Sequence, residues 1–428
     1  MEKPNPYTIP TYTFLFSCFL ILCGLAYFKT ILSFVGELNV NAGDPVRITM
    51  FNNKTMDHFT LDILDEKGNK IYESKNSPQG KFYVQLKALG ILPMHRIAVN
   101  VVAPVKLIPG GQSLGIMMHS KGVMVVGMSD IVDKTGNRVN PAEEAGIKIG
   151  DLILSVNGKK IVNEFQLKNE LSLNGYNEKI TLELKRGQRV IKLKVKAAIC
   201  SETNRPRIGL FVRDTASGVG TLSFYHPETG TYGALGHIIS DIDTAKGIDL
   251  SDGKIAEAHI RAIHRGRKGN PGEKIGMIVE DGSITGTIER NTKYGIFGKI
   301  DTLPENPFFK DSIPVAMSHE ITKGPAEVYT VIEGTTINKY KIEIQEVFYP
   351  WNSSGKGMII KVTDPELIAS SGGIIQGMSG SPIIQNGKIA GVVTHVFIND
   401  PQRGYGIPVE WMLKEIGILN DKSQQKAS

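Results

Sequence analysis

Cysteine is almost missing from this chain of 428 residues: only Cys18, Cys23 and Cys200 occur, and the first two fall inside one hydrophobic run. Three such residues make neither a disulfide framework nor a Cys-x-x-Cys metal site. His-Glu-x-x-His does not occur. The phosphate-loop pattern is missing too, since Ser354-Gly355-Lys356-Gly357 lacks both the first glycine and the hydroxyl. No metal or organic cofactor is therefore expected. Charge is also sparse, at 21% of residues and a net +6, and the basic residues are dispersed without interleaved aromatics. That pattern excludes nucleic acid as an expected partner and leaves only weak attraction to anionic membranes.

Long apolar runs are lacking except at the start. Tyr12 to Phe28 is nearly uncharged, and Ile31 to Val35 extends it past Lys29, a length that suits a bilayer core of about 30 Å. A small-x-small cleavage site is not evident, so residues 1–35 read as an uncleaved anchor in preference to a removed signal peptide. In either case the rest of the chain is exported.

Beyond the anchor the chain is too long for one core and reads as mainly β, with about three further units. Residues 36–106 alternate apolar and polar positions over Val46–Phe51, Thr60–Leu64, Lys81–Leu86 and His95–Val102. This predicts a small β-rich module that serves as a spacer or docking surface. Residues 107–198 contain Gly110-Gly111-Gln112-Ser113-Leu114-Gly115-Ile116, and later Ala145-Gly146-Ile147-Lys148-Ile149-Gly150-Asp151-Leu152-Ile153-Leu154-Ser155-Val156-Asn157-Gly158. The second run strongly resembles a PDZ domain. On that resemblance Ser113, Leu114, Gly115 and Ile116 form the turn that offers N–H groups to a peptide carboxylate, and Glu164–Leu173 is the helix lining the groove.

Residues 199–428 alternate short β-like runs with Gly, Pro, Asn and Asp turns, which suits a pair of β-barrels with a cleft between them. Here lies Gly377-Met378-Ser379-Gly380-Ser381-Pro382, a serine between glycines just before an apolar strand. Such a turn frees a hydroxyl and gathers the N–H groups of Gly377 and Ser379 into an oxyanion hole. Of nine histidines, His237 sits in a small-residue bend, Tyr232-Gly233-Ala234-Leu235-Gly236-His237, like that of chymotrypsin-type barrels. His259 and His264 have a poor spacing for one metal face, and His395 reads as a strand residue able to line the cleft. The carboxylate that would orient the imidazole is open between Asp364 at a strand end, Asp241 and Asp243 beside His237, and Asp281 and Asp301 in other loops.

Taken in this order, the anchor, the PDZ signature and the Gly-His and Gly-x-Ser-Gly-Ser-Pro segments resemble the SpoIVB peptidases of endospore-forming bacteria. Leu92-Pro93-Met94-His95-Arg96-Ile97-Ala98-Val99-Asn100 and Gly404-Tyr405-Gly406-Ile407-Pro408-Val409-Glu410 share the likeness. The resemblance implies a serine endopeptidase with catalytic His237, Asp364 and Ser379. It further implies a single-pass protein of the inner forespore membrane, acting in the space between the two membranes. There it would cut a membrane regulator of an intramembrane protease, trigger sigma-K activation and cleave itself, with the PDZ domain binding a peptide of the target or of its own chain. A catalytically inactive PDZ scaffold and an HtrA-like quality-control protease are the rival readings.

Overall fold

The computed structural model describes residues 16–17, 19, 24, 37–42, 59–71, 80–88, 90–174, 179–279, 282–302, 304–348 and 356–419. The expected membrane segment lies outside the described residues but for four positions, and the expected strand Val46–Phe51 lies wholly outside them. Among the described residues no helix is long and apolar enough to cross a membrane. The molecule is mainly β.

The first unit is a four-stranded sheet of β1 (Glu37–Asn41), β2 (Phe59–Leu64), β3 (Gly80–Ala88) and β4 (Leu92–Val102). Its order is β1-β4-β3-β2, with β1 parallel to β4. Alternation buries Val40, Phe82, Val84 and Val99 on one face, as a half-covered sheet requires. Asn39 fastens this sheet to the far end of the chain, donating from Nδ2 to Glu410 Oε1 at 2.8 Å inside the protein.

The next two units share two sixteen-residue strands. β5 (Ser113–Met128), β6 (Leu152–Val156), the helix α1 (Glu164–Asn174), β7 (Lys179–Arg186), β8 (Arg189–Lys196) and the start of β9 (Leu210–Tyr225) make the first of them, in sheet order β8-β7-β6-β5-β9. Its core is Val125, Ile153, Leu167, Leu182 and Val195. β5 and β9 then continue together, paired from Leu210–Met128 to Thr221–Ser113, into a ring with β10 (Thr231–Ala234), β11 (Leu250–His264), β12 (Glu273–Val279), β13 (Thr285–Thr287) and β14 (Gly295–Lys299). Pairings run β11-β5-β9-β10-β14. β13, on the other edge of β11, closes the ring onto β14 by a bridge from Gly286 to Ile300 and an Asp301 N–H to Thr285 carbonyl bond of 2.8 Å.

The last unit is a closed barrel of β15 (Gly324–Val331), β16 (Ile337–Val347), β17 (Met358–Val362), β18 (Pro382–Gln385), β19 (Lys388–Phe397) and β20 (Asp400–Pro408). The barrel order is β15-β16-β17-β20-β19-β18. Helix α2 (Pro365–Ser371) follows β17, and α3 (Val409–Glu415) ends the described chain. Phe224 and Phe297 of the ring, Val331, Ile337 and Val392 of the barrel, and Trp411 and Leu413 of α3 form one continuous core. At about 1.5–3 kcal/mol for each large apolar side chain removed from water, this core binds ring to barrel.

Candidate active site

The chain leaves β10 through a bend in which Leu235 and Gly236 both have positive φ, at 71° and 72°. This reversal sets His237 at the mouth of a cavity of about 560 Å³ between ring and barrel. Across the cavity stands the turn before β18. Gly377 and Gly380 adopt φ values of +90° and +95°, a left-handed region cheap only for glycine. Ser379 and Gly377 both line the cavity, as do Thr394, His395 and apolar groups such as Ile116, Val219, Ile375 and Val396. Among the described residues no Asp, Glu, Lys or Arg lines it.

The serine turn is clamped from behind by Thr221 of β9. Its N–H donates to the Ser379 carbonyl at 3.0 Å, and its Oγ1 donates to the Gly377 carbonyl at 2.8 Å. The N–H groups of Gly377 and Ser379 donate to no group among the described residues. They remain available to an anion. The Ser379 hydroxyl itself donates to the Thr394 carbonyl at 2.7 Å.

His237 holds its Nδ1 2.9 Å from its neighbour's carbonyl, Ile238 O. That contact assigns the proton to Nδ1 and leaves Nε2 as the ring's acceptor. Burial depresses the His237 pKa below the usual histidine value, opposed by the Ile238 bond. His395 lies beside it, ring centroids 4.9 Å apart, and is pushed down to about 4 by burial first and then by His237 and Lys356. Both rings are thus neutral at pH 7. His395, a strand residue in sequence, is a wall of the same cavity.

The structure does not bring the expected acid to this place. Asp364 is the N-cap of α2: its carboxylate accepts from the Glu366 and Leu367 N–H groups, and from the Lys341 N–H at 3.1 Å. A strand-end Asp before Pro is also the signature of a helix start, and here that role consumes it. Of the alternatives, Asp241 and Asp243 are engaged as well. Asp241 accepts from Arg213 at 2.8 Å and from Thr244, Asp243 pairs with Arg213 at 2.9 Å, Asp301 is exposed, and Asp281 lies outside the described residues. A carbonyl orients His237 where a carboxylate was expected. Asp364→Asn, which keeps the cap, is expected to retain reactivity toward a serine-directed phosphonate within about threefold, whereas Asp364→Ala loses about 1 kcal/mol of stability. Labelling rates and thermal melts check both.

Residues 204–413 match the SpoIVB peptidase S55 family, and residues 114–197 match the PDZ domain. The peptidase region belongs to the SpoIVB peptidase family. The chain is a serine endopeptidase carrying a PDZ domain. Among solved structures it is similar to the PDZ domain of an SdrC-like protein from Listeria monocytogenes, at 18% identity over 22% of this chain and 87% of that one, with a TM-score of 0.18. It is also similar to the Rv3671c protease of M. tuberculosis. The active form aligns at 14% identity over 48% of this chain and 76% of that one, TM-score 0.26; the inactive form gives 14%, 47%, 85% and 0.27. No curated protein matches.

In this SpoIVB-family chain the peptide-binding turn expected at Ser113-Leu114-Gly115-Ile116 needs correction. These residues are strand: Leu114, Gly115 and Ile116 are paired on both sides, Gly115 with Val219 and Ala256, and Ser113 pairs with Thr221; Ser113, Leu114 and Ile116 are at most 3% exposed. The ladder uses the backbone groups of Leu114, Gly115 and Ile116. The groove of the PDZ unit lies elsewhere, in a cavity of about 590 Å³ between α1, with Leu167 and Leu171, and Ile208-Gly209-Leu210-Phe211-Val212 at the start of β9. Among the described residues β9 pairs there only with β5, so its second edge faces the helix, the geometry that accepts an added strand. The signal was present as an apolar-Gly-apolar-aromatic run, but it lies after the last PDZ strand instead of before the first.

Proposed function

We propose that Ser379 is the nucleophile, His237 its general base, and the Gly377 and Ser379 N–H groups the oxyanion hole of a chymotrypsin-like, double-β-barrel peptidase. The observation that carries this is a single uncharged cavity with His237 on one wall and, on the other, a serine turn whose two N–H groups are unengaged. A χ1 rotation of about 120° releases the Ser379 hydroxyl from Thr394 O for transfer of its proton to Nε2. Ser379 then attacks a peptide carbonyl, the oxyanion takes the two N–H groups, and His237 returns the proton to the leaving amine. Water, deprotonated by the same ring, hydrolyses the acyl-enzyme.

The family resemblance carries the reading further: a sporulation-specific endopeptidase, held by residues 1–35 in the inner forespore membrane, with its bulk in the intermembrane space. There it cuts a membrane-bound regulator of an intramembrane protease, leading to sigma-K activation, and cleaves itself. The apolar lining of the cavity suits an uncharged stretch of such a substrate, and the groove beside α1 suits a peptide of the target or of this chain. The deciding experiment is labelling of the full chain with a fluorophosphonate, with the adduct located by mass spectrometry. The adduct is expected on Ser379. Since His237 acts as a base and its pKa is depressed, the acid-side loss of labelling should set in only below pH 6.5, the ordinary histidine value. An adduct on another serine, or none, overturns the assignment.

A further inference from the structure

Behind the serine turn, facing away from the cavity, a lysine is sealed into the protein. Lys274 of β12 is 6% exposed. Its Nζ lies 3.0 Å from Thr330 Oγ1 and 3.5 Å from both Thr221 Oγ1 and Ser113 Oγ. These three hydroxyls are themselves buried and come from β15 of the barrel and from β9 and β5 of the ring. Among the described residues no carboxylate joins the group. The lysine stem packs on Gly377, where an added Cβ would meet its carbons at 3.1 Å, and the Lys274 N–H donates to the Gln376 carbonyl at 2.9 Å.

We propose that Lys274 is a positioning residue for the peptidase reaction: its ammonium orients the Thr221 hydroxyl onto the Gly377 carbonyl, and so holds in place the Gly377–Met378 peptide that links the Gly377 and Ser379 N–H groups. An ammonium has three donors and no acceptor, so Thr221 Oγ1 receives its proton with a lone pair. The Thr221 hydrogen must then point away, to the Gly377 carbonyl 2.8 Å distant. A neutral amine has a lone pair of its own and can take that hydrogen, which frees the carbonyl, lets the Gly377–Met378 peptide plane turn and so displaces the N–H groups of the planes on either side.

Keeping a cation in such a place is costly without a counter-charge, and burial alone pulls its pKa from 10.5 to about 7. Methionine would fill the same space without that penalty. A local rule is broken here, which is what functional sites do.

The proposal rests on Ser379 as nucleophile, and the test separates the two. Full-length parent, Lys274→Met, Thr221→Val, Thr221→Ser and the double Lys274→Met/Thr221→Val are compared by phosphonate inactivation, resolved into kinact and the probe's KI. Lys274→Met and Thr221→Val should each lower kinact about 10- to 100-fold with KI nearly unchanged, and Thr221→Ser should restore most of it. The double variant should be no worse than the worse single, because both act on one bond. The parent rate should also decline above neutral pH, a limb that Lys274→Met lacks.

Other ionisable groups on the packed elements do not account for that limb. Glu273 and His264 pair with each other at 2.9 Å on the surface, Tyr329 donates to Glu327 at 2.8 Å, and His237 and His395 titrate on the acid side. A folded Lys274→Met that reacts at the parent rate overturns the proposal, as does Thr221→Ser failing like Thr221→Val. If Lys274→Met does not fold, the two Thr221 variants decide alone. A parent that carries no label on Ser379 overturns the nucleophile assignment instead.

Discussion

Ser379→Ala is expected to abolish phosphonate labelling and self-fragmentation of the full chain, lowering peptide turnover by about 10⁴- to 10⁶-fold. The loss should not be a loss of fold. What the side chain gives to stability is one hydrogen bond, from its hydroxyl to the Thr394 carbonyl, worth about 1 kcal/mol. The turn's conformation is fixed by its neighbours: the Gly380 N–H donates to Val393 O at 2.8 Å and the Ser381 N–H to Met378 O at 3.0 Å. A melting temperature within a few degrees of the parent, with no label and no fragments, is the expected pair of results. Surviving fragmentation in a folded Ser379→Ala chain would mean that another group cuts the peptide bond.

Gly380→Ala should do the opposite, harming fold and chemistry together. Gly380 has φ +95°, and a Cβ there would lie 2.1 Å from the Thr221 carbonyl oxygen and 2.5 Å from Leu235 N. Both obstacles are backbone and cannot swing aside. The first belongs to the strand that clamps the serine turn, the second to the bend that presents His237. Backbone strain and overpacking together cost about 3 kcal/mol or more, roughly 6–12 °C in a unit of this size. Labelling should fall by more than about 100-fold, since relief of the clash moves His237 and Ser379 apart. Gly387→Ala is the control. It has φ +74° but nothing within 4 Å of the added carbon, so it should cost only about 1 kcal/mol and keep the labelling rate.

What the sequence made legible was what is encoded locally. The turn around Ser379 and the bend before His237 are each made by a few consecutive residues whose backbone chemistry can be read directly. The groove helix, read as Glu164–Leu173 and found at Glu164–Asn174, was legible for the same reason. Asp364 was ambiguous because strand-end Asp-Pro serves a catalytic loop and a helix cap equally well, and only the Lys341, Glu366 and Leu367 N–H groups decide between them. Ser113–Ile116 misled because a Leu-Gly-Ile run is also ordinary buried strand. What made it so was pairing with Val219 and Ala256, more than a hundred residues away. Lys274 was invisible: its pocket is assembled from four segments, and none of them is unusual alone.

The two long strands set a limit on how this protein can be rearranged. β5 enters as a wall of the ring and leaves as an inner strand of the PDZ sheet, and β9 makes the return journey, from the groove at Leu210 to the clamp at Thr221. The PDZ unit is therefore not a cassette. A recombination joint near residue 198 would transplant half of each ladder, and excision of residues 107–198 would take with it the strand that pairs both β9 and β11. A PDZ deletion in this chain is also a peptidase deletion, so loss of cleavage in such a chain says nothing about peptide recognition. Substitutions confined to the groove, such as at the exposed Phe211, are the changes that isolate it.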